Sequence, residues 1–208
     1  MYGVDYENVK ANLESNNSKK IISAAKFLQK RYIPGFEDII VDILETRYRA
    51  NKSWEVQSEL IKIIGNRLIV SALPIIKEIV HKNLDHDMVT INAASAYLRL
   101  VRKNESDVSP IISMFGNIGY SVGEGFLSCL GADLMTPSIS DQNKLISYFW
   151  DFGNPIHLGH VDPRIGLAQA AKYWNTPVAK DFIKHCSLSE DSRLRDFALK
   201  SLEKNETP

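Results

Sequence analysis

Apolar residues along the chain recur at the three- and four-residue spacing of a helix, in segments that follow one another as pairs. Segment 59–65 has this spacing and ends in Gly65, a residue type that readily takes the left-handed conformation closing a helix. The pattern restarts over 72–80, where Pro74 falls in a first turn and its missing N–H is no loss. The spacing predicts one helix ending near Gly65 and a second beginning near Ala72.

The same signals recur elsewhere. Segment 125–131 repeats the apolar ending closed by a glycine, here Gly131, and Pro34 and Pro110 each precede a helical pattern. The second helix of several pairs is preceded by an acid whose side-chain oxygen can accept from a free backbone N–H. These predicted caps are Asp87, Asp162 and Asp191.

The apolar endings of the second helices align in one column at Leu28, Ile64, Leu98, Leu130, Tyr173 and Leu202. Successive members are 36, 34, 32, 43 and 29 residues apart, the period of a repeated helical hairpin. Small residues mark the places where second helices are expected to approach their neighbours closely; they are Ala24, Ala25, Ala93, Ala94, Ala96, Ala168, Ala170, Ala171 and Ala198.

This pattern resembles the HEAT repeat family, most specifically over 60–80, where an apolar helix, a glycine, a spacer and Ala-Leu-Pro follow in order. The resemblance covers about residues 18–203 and is weaker over 117–160. It implies an all-α fold, an α-α superhelix of five or six HEAT-like helical hairpins, forming one domain over 1–208. Such an array presents a binding face made by its second helices.

Two segments depart from that pattern. Three glycines lie within 119–125, which predicts a broken helix start, a tight contact or a hinge in the fourth pair. The stretch from Trp150 to Pro163 is rich in turn residues and is predicted to be the longest loop. The acid followed by Val-Arg that is usual in the family appears only loosely, as Asp162-Pro-Arg164 and Asp191-Ser-Arg193.

The charge balance argues against a general binder of nucleic acid, since 25 basic residues meet 25 acidic ones. The first residues do not form a signal peptide, and no stretch reaches the length of a membrane span, so we expect a cytoplasmic protein with no membrane contact. Cys129 and Cys186 stand alone and are predicted to be reduced core thiols.

Candidate catalytic or metal-binding groups are few. His157, His160 and Asp162 lie on the predicted long loop, but their spacing lacks the specificity of known metal motifs. Asp85, His86 and Asp87 form a second polar trio, for which helix capping by Asp87 is the favoured interpretation. We therefore expect no metal, no cofactor and no catalytic residue.

The sequence thus favours a protein-binding module over an enzyme. Its sharper form is an immunity protein that neutralises a bacterial toxin, such as a nuclease, by binding its basic domain directly; this form rests on size and fold alone. The alternative is a HEAT-like DNA glycosylase of the alkylpurine type, for which Trp54, Trp150 and Trp174 are available to stack on bases. Neutral charge speaks against that alternative.

Acids at matching places in successive pairs predict where the partner binds. They fall near the starts of the second helices, where stacking would form a stripe that attracts a basic partner. Aromatic residues beside them would supply anchors. The predicted set is Trp54, Glu55, Glu59, Asp85, Asp87, Tyr120, Glu124, Asp162, Glu190 and Asp191. Capping is the competing explanation for several of these acids.

Overall fold

The chain folds into helices. The computed structural model describes residues 2–152 and 162–205, and within them lie twelve α-helices, a short 3-10 helix at Val70–Ala72 and no strand. The α-helices are α1 Tyr2–Leu13, α2 Ser18–Lys30, α3 Glu37–Arg49, α4 Trp54–Arg67, α5 Leu73–Lys82, α6 Met88–Val101, α7 Ser109–Ile112, α8 Tyr120–Ala132, α9 Ile139–Phe149, α10 Arg164–Ala171, α11 Pro177–Cys186 and α12 Ser192–Asn205. The predicted all-α class is confirmed.

Prolines and polar caps begin the helices much as the sequence predicts. Pro74, Pro110 and Pro177 occupy the first turns of α5, α7 and α11. The Asp87 carboxylate accepts from the backbone N–H of Thr90 at 2.9 Å, and Asp191 accepts from those of Arg193 and Leu194 at 2.8 and 3.1 Å. Capping by these acids is confirmed, because each satisfies N–H groups that have no partner within the helix.

Two compact units divide the chain at residue 100, namely Met1–Leu100 and Val101–Pro208, called unit 1 and unit 2 below. The helices α1 to α6 build unit 1, and α7 to α12 build unit 2. Each holds its own apolar core; Cys129 and Cys186 are free and buried in that of unit 2, as predicted. None of the described helices combines the length and apolar character needed to cross a bilayer.

Within unit 1, α2 and α4 start at one edge and end at the other. The hydroxyls of Ser18 and Ser53 lie 2.9 Å apart at the two helix starts. At the far ends, the Arg67 guanidinium donates to the carbonyl oxygens of Leu28 and Arg31. Arg67 therefore satisfies carbonyls that α2 leaves open at its C-terminus, and it fixes the end of α4 beside them.

The prediction that Gly65 and Gly131 close their helices is wrong. Both glycines are buried inside α4 and α8, and the residues that turn left-handed after these helices are Leu68, with φ +54°, and Leu134, with φ +48°. A Cβ placed on Gly65 would lie 2.9 Å from the Cα of Ala96 in α6. The glycine is required by a close helix crossing, which local sequence does not reveal.

Glycines also allow helices of unit 2 to approach one another, at shorter distances than in unit 1. A Cβ on Gly166 of α10 would lie 2.2 Å from the Leu127 carbonyl oxygen of α8, and one on Gly131 would lie 2.5 Å from the Gly166 carbonyl oxygen. Among the glycines of 119–125, Gly123 faces the Phe152 ring, whose atoms a Cβ would meet at 2.4 Å. Tight contact is thus the outcome here, and α8 runs unbroken from Tyr120.

The predicted column of apolar endings holds at four of its six places and fails at one, while Leu202 in α12 is half-buried. Leu28, Ile64, Leu98 and Leu130 are buried in their second helices. Tyr173 lies beyond the end of α10 and is 55 % exposed, whereas the next residue, Trp174, is buried and donates its indole N–H to the Met135 carbonyl at 2.9 Å. The chain turns sooner after α10 than the alignment assumes.

Candidate partner-binding surfaces

The starts of α4 and α6 lie at the same edge of unit 1. Gly65 contacts Ala96, and the Arg99 guanidinium donates to the Asn66 side chain at 2.9 Å, so the later halves of the two helices touch. Helix α5 returns the chain between them. We call the edge with the helix starts the N-terminal edge; its described surface residues include Trp54, Glu55, Leu84, Asp85 and Met88.

Trp54 is the aromatic residue of this edge. It is the first residue of α4 and is 53 % exposed, although an indole of this size is usually buried for the most part. Leu84 and Met88 are about half exposed in the turn and first helical residue that follow α5. Sequence reasoning missed both, but an apolar residue on each side of the Asp-His-Asp turn was a usable signal.

The predicted acids of the N-terminal edge are not equivalent. Glu55 and Asp85 are exposed, whereas Asp87 is engaged in capping α6. Glu59 accepts from Lys62 at 2.8 Å and Gln29 at 3.0 Å. Burial raises the pKa of Glu59, but these hydrogen bonds outweigh it, so the pKa lies below its ordinary value.

Lysines also open α2. Lys19 and Lys20 are exposed in its first turn, at the same edge as Glu55 and Asp85. The N-terminal edge is therefore of mixed sign, and Glu55 and Asp85 do not extend into a purely acidic stripe.

In unit 2 the structure brings four predicted residues together. Tyr120 at the start of α8 lies within electrostatic range of Glu124, Asp162, Asp191 and Arg193, which belong to the starts of α8, α10 and α12. We call these five residues the polar cluster. Burial, followed by the neighbouring carboxylates, raises the pKa of Tyr120 to about 12, so the phenol stays protonated at neutral pH.

The prediction that Asp162 contacts a partner does not agree with its burial. Its side chain is fully buried and holds Arg164, with an Nη2 to Oδ2 distance of 2.7 Å and two further contacts of 3.1 Å from Nε. Arg164 also donates to the Trp150 carbonyl at 3.2 Å. The pair therefore joins residues on both sides of 153–161, and its role is structural because no partner reaches a buried carboxylate.

Glu190 and Asp191 differ in the same way. Glu190 is exposed, while Asp191 caps α12 and accepts from the Arg193 guanidinium at 3.0 Å. Burial raises the pKa of Asp191, but the hydrogen bonds from Arg193 and from the backbone of Leu194 outweigh it, so the pKa is lowered. Of this pair, Glu190 is the residue exposed to solvent.

Glu124 is the half-buried acid of the polar cluster. Burial raises its pKa, and the charge of Arg193 opposes the shift without cancelling it. A carboxyl with a raised pKa stabilises the fold below its unfolded-state pKa, and that contribution is lost as pH rises through the folded-state value. Ionised Glu124 is thus a cost to the fold at neutral pH, which a cation from a partner would reduce.

We expect Glu124→Gln to raise the free energy of unfolding at pH 7 and to change it less at pH 4, where the acid is more protonated. Urea unfolding at both pH values measures the difference. Asp191→Asn should have the opposite effect, because the pKa of Asp191 is lowered. The free energy of unfolding should fall, and it should fall by more at pH 7 than at pH 3. Equal effects of Glu124→Gln at the two pH values would contradict the assigned cause.

Other candidate chemistry finds little support. Within residues 2–152 and 162–205, no three His, Cys, Asp or Glu side chains form a metal-binding group, and His157 and His160 lie outside the described residues. Burial raises the pKa of the Cys186 thiol to about 12, so it remains protonated and is a poor nucleophile.

The three tryptophans that the glycosylase alternative would use for base stacking differ in their exposure. Trp174 is buried, and the Trp150 ring stacks on His185 at 4.7 Å between ring centroids, with an edge against Phe182. Trp54 alone among the three is more than half exposed. The glycosylase alternative therefore gains no support from the geometry, because it requires several aromatic faces turned towards DNA.

Comparison with known proteins gives no match: no family model, no curated protein and no solved structure corresponds to this chain.

Proposed function

We propose that this chain is a HEAT-like protein-binding module that captures a protein partner through the N-terminal edge of unit 1. The observation that carries the proposal is the exposure of Trp54, Leu84 and Met88 at the starts of α4 and α6, together with that of the acids Glu55 and Asp85. Exposed aromatic and apolar side chains within a polar rim are the composition of a protein interface.

The successive helix pairs support the HEAT-like part of the proposal. Among the described residues, α1 packs against α2, α3 against α4 and α11 against α12, and glycines at equivalent places in α4 and α8 admit α6 and α10 at close range. Side-by-side second helices with their starts at one edge are what an array of helical hairpins provides.

The sharper form of the proposal is an immunity protein that neutralises a basic toxin domain, such as a nuclease. Its support is limited to Glu55, Asp85 and Glu190, the acids of the predicted set that are exposed. A mixed-sign edge around an aromatic residue suits a protein partner better than DNA, whose recognition depends on an excess of cations. Gene neighbours supply the probe, namely the C-terminal domain of any large secreted toxin encoded directly upstream.

We expect Trp54→Ala to weaken binding of that domain by about 30-fold, since truncation of an aromatic anchor costs about 2 kcal/mol. Calorimetric titration measures the affinity. Tyr173→Ala, at an equally exposed aromatic residue in unit 2, is the control and should leave affinity unchanged. Equal losses from the two variants would argue against the N-terminal edge as the interface.

A second variant tests the charges. Glu55→Lys combined with Asp85→Lys should lower affinity at low salt and flatten its salt dependence, because rim charges act mainly through screened attraction. Asp87 and Asp162 stay unchanged, since they cap helices and their loss would disturb the fold. Unchanged affinity and salt dependence in a folded variant would contradict a basic partner at this edge.

A further inference from the structure

The opposite edge of unit 1 carries a second unusual surface. Tyr32, Leu68 and Val70 are 70 %, 53 % and 63 % exposed at the ends of α2 and α4. The Arg67 guanidinium lies over the Tyr32 ring at 4.8 Å from its centroid, which brings the two helix ends into one patch. We call these residues, together with Lys30 and Arg31, the C-terminal edge patch.

The backbone conformation of Leu68 is unusual for a leucine. This residue follows α4 with φ +54° and ψ +47°, a left-handed conformation that suits glycine or asparagine and strains a leucine. The following residue, Ile69, is buried and donates its N–H to the Ile64 carbonyl at 3.1 Å, so the cap itself needs no leucine at 68. Asn83, which ends α5 in the same conformation, is the residue type expected there.

The fold therefore gains little from a leucine at this position. Its backbone conformation is unfavourable for that side chain, and more than half of the side chain stays in water, where burial contributes nothing. Neither packing nor backbone preference within the fold therefore accounts for a leucine at this position.

The charges around the patch indicate which kind of partner it would fit. Lys30 and Arg31 are exposed at the end of α2. The Arg67 guanidinium donates to backbone carbonyls and lies over the Tyr32 ring. The nearest acids along the chain are Glu37 and Asp38, which open α3, and Glu37 accepts from the Gly35 N–H at 2.8 Å. Lys30, Arg31 and Arg67 outnumber these two acids, which leaves the patch with a positive balance of charge.

We propose that the C-terminal edge patch docks an acidic segment of a partner protein, with an apolar side chain of that segment resting on Leu68, Tyr32 and Val70. Carboxylates of the segment are attracted by the positive charge of Lys30, Arg31 and Arg67, while its apolar residue covers surface that is otherwise left in water. The patch is separate from the N-terminal edge and does not depend on the function proposed for it.

Leu134 offers a matched control within the same chain. It follows α8 with φ +48°, is 52 % exposed, and precedes Met135, which is buried and donates to the Leu130 carbonyl at 3.1 Å. Its neighbour is Asp133, which pairs with Arg102 at 2.8 Å, so the positive balance of charge near Leu68 is not reproduced there. The two leucines share backbone strain and exposure but differ in surrounding charge.

The test is a display selection of random 16-residue peptides on the full-length chain. We expect enriched peptides to combine Asp or Glu with Leu or Phe, and to bind Leu68→Gly at least about 10-fold more weakly while binding Leu134→Gly normally. Lys30→Glu should weaken binding at low salt. Both glycine variants should keep Tm or raise it by up to about 3 °C, since glycine relieves the strain.

Three results would overturn the proposal. The first is that no peptide is enriched, or that the enriched peptides are basic. The second is equal binding of the peptides to wild type and Leu68→Gly. The third is that a 20-nucleotide single-stranded DNA binds the chain and loses affinity in Lys30→Glu while the acidic peptides do not, which would make nucleic acid the occupant. Retained Tm of Leu68→Gly excludes unfolding as the cause of lost binding.

Discussion

Replacing Arg164 by methionine is expected to lower the free energy of unfolding by about 3–5 kcal/mol, because it leaves the carboxylate of Asp162 buried without its cation. Arg164 is 4 % exposed and Asp162 is fully buried. Burial alone lowers the pKa of Arg164, but the hydrogen bond and charge of Asp162 raise it above its ordinary value. Urea unfolding followed by circular dichroism measures the loss.

The chain contains a matched control with the same spacing. Asp191 and Arg193 open α12 as Asp162 and Arg164 open α10, but the Arg193 side chain is 50 % exposed. Arg193→Met should therefore cost less than about 1 kcal/mol. In the double variant Asp162→Ser with Arg164→Met, both charges are gone and a capping oxygen remains, so much of the loss should be recovered. Equal losses from Arg164→Met and Arg193→Met would contradict this account.

Gly166→Ala is the second change with a large expected effect. The added Cβ would lie 2.2 Å from the Leu127 carbonyl oxygen and 2.7 Å from the Ser128 nitrogen, both backbone atoms that cannot rotate away. Alanine gains about 1 kcal/mol of helix propensity over glycine, but forced separation of α8 and α10 outweighs it. We expect a net loss of about 3 kcal/mol or more in urea unfolding.

Gly116→Ala separates steric clash from the loss of a glycine as such. Gly116 has φ +86° and nothing within 4 Å of an added Cβ, so strain in the left-handed region is its main cost, about 1 kcal/mol. Stabilisation by Gly166→Ala, or a loss no greater than that of Gly116→Ala, would mean that the two helices are not as close as described.

The helix caps were predictable from the sequence, whereas the close helix crossings at glycines were not. Asp87 and Asp191 bond N–H groups two or three residues away, so local order suffices to assign them. Gly65 and Gly131 have the local signature of a helix end, but each is required by a second helix that arrives tens of residues later in the chain. A residue that serves a distant neighbour carries no local signal of that neighbour.

The same distinction separates the predicted site residues. Exposure of Trp54, Glu55 and Asp85 agrees with their predicted availability to a partner, although binding itself stays a prediction. Burial of Asp162 depends on how α10 packs against α8 and on how Arg164 turns back onto it, neither of which follows from the spacing Asp-Pro-Arg. The sequence did not single out Leu68, because a leucine near a helix end is expected to be buried unless its φ is known.

The central claim is that a protein partner contacts the N-terminal edge at Trp54, and site-specific photo-cross-linking tests it most directly. A benzoylphenylalanine placed at position 54 in the cells that produce the protein should form a discrete adduct with a single partner. The adduct should be absent when the photoreactive residue stands at position 173, and it should diminish with Glu55→Lys. An adduct at 173 but not at 54, or identical adducts at both positions, would contradict the account.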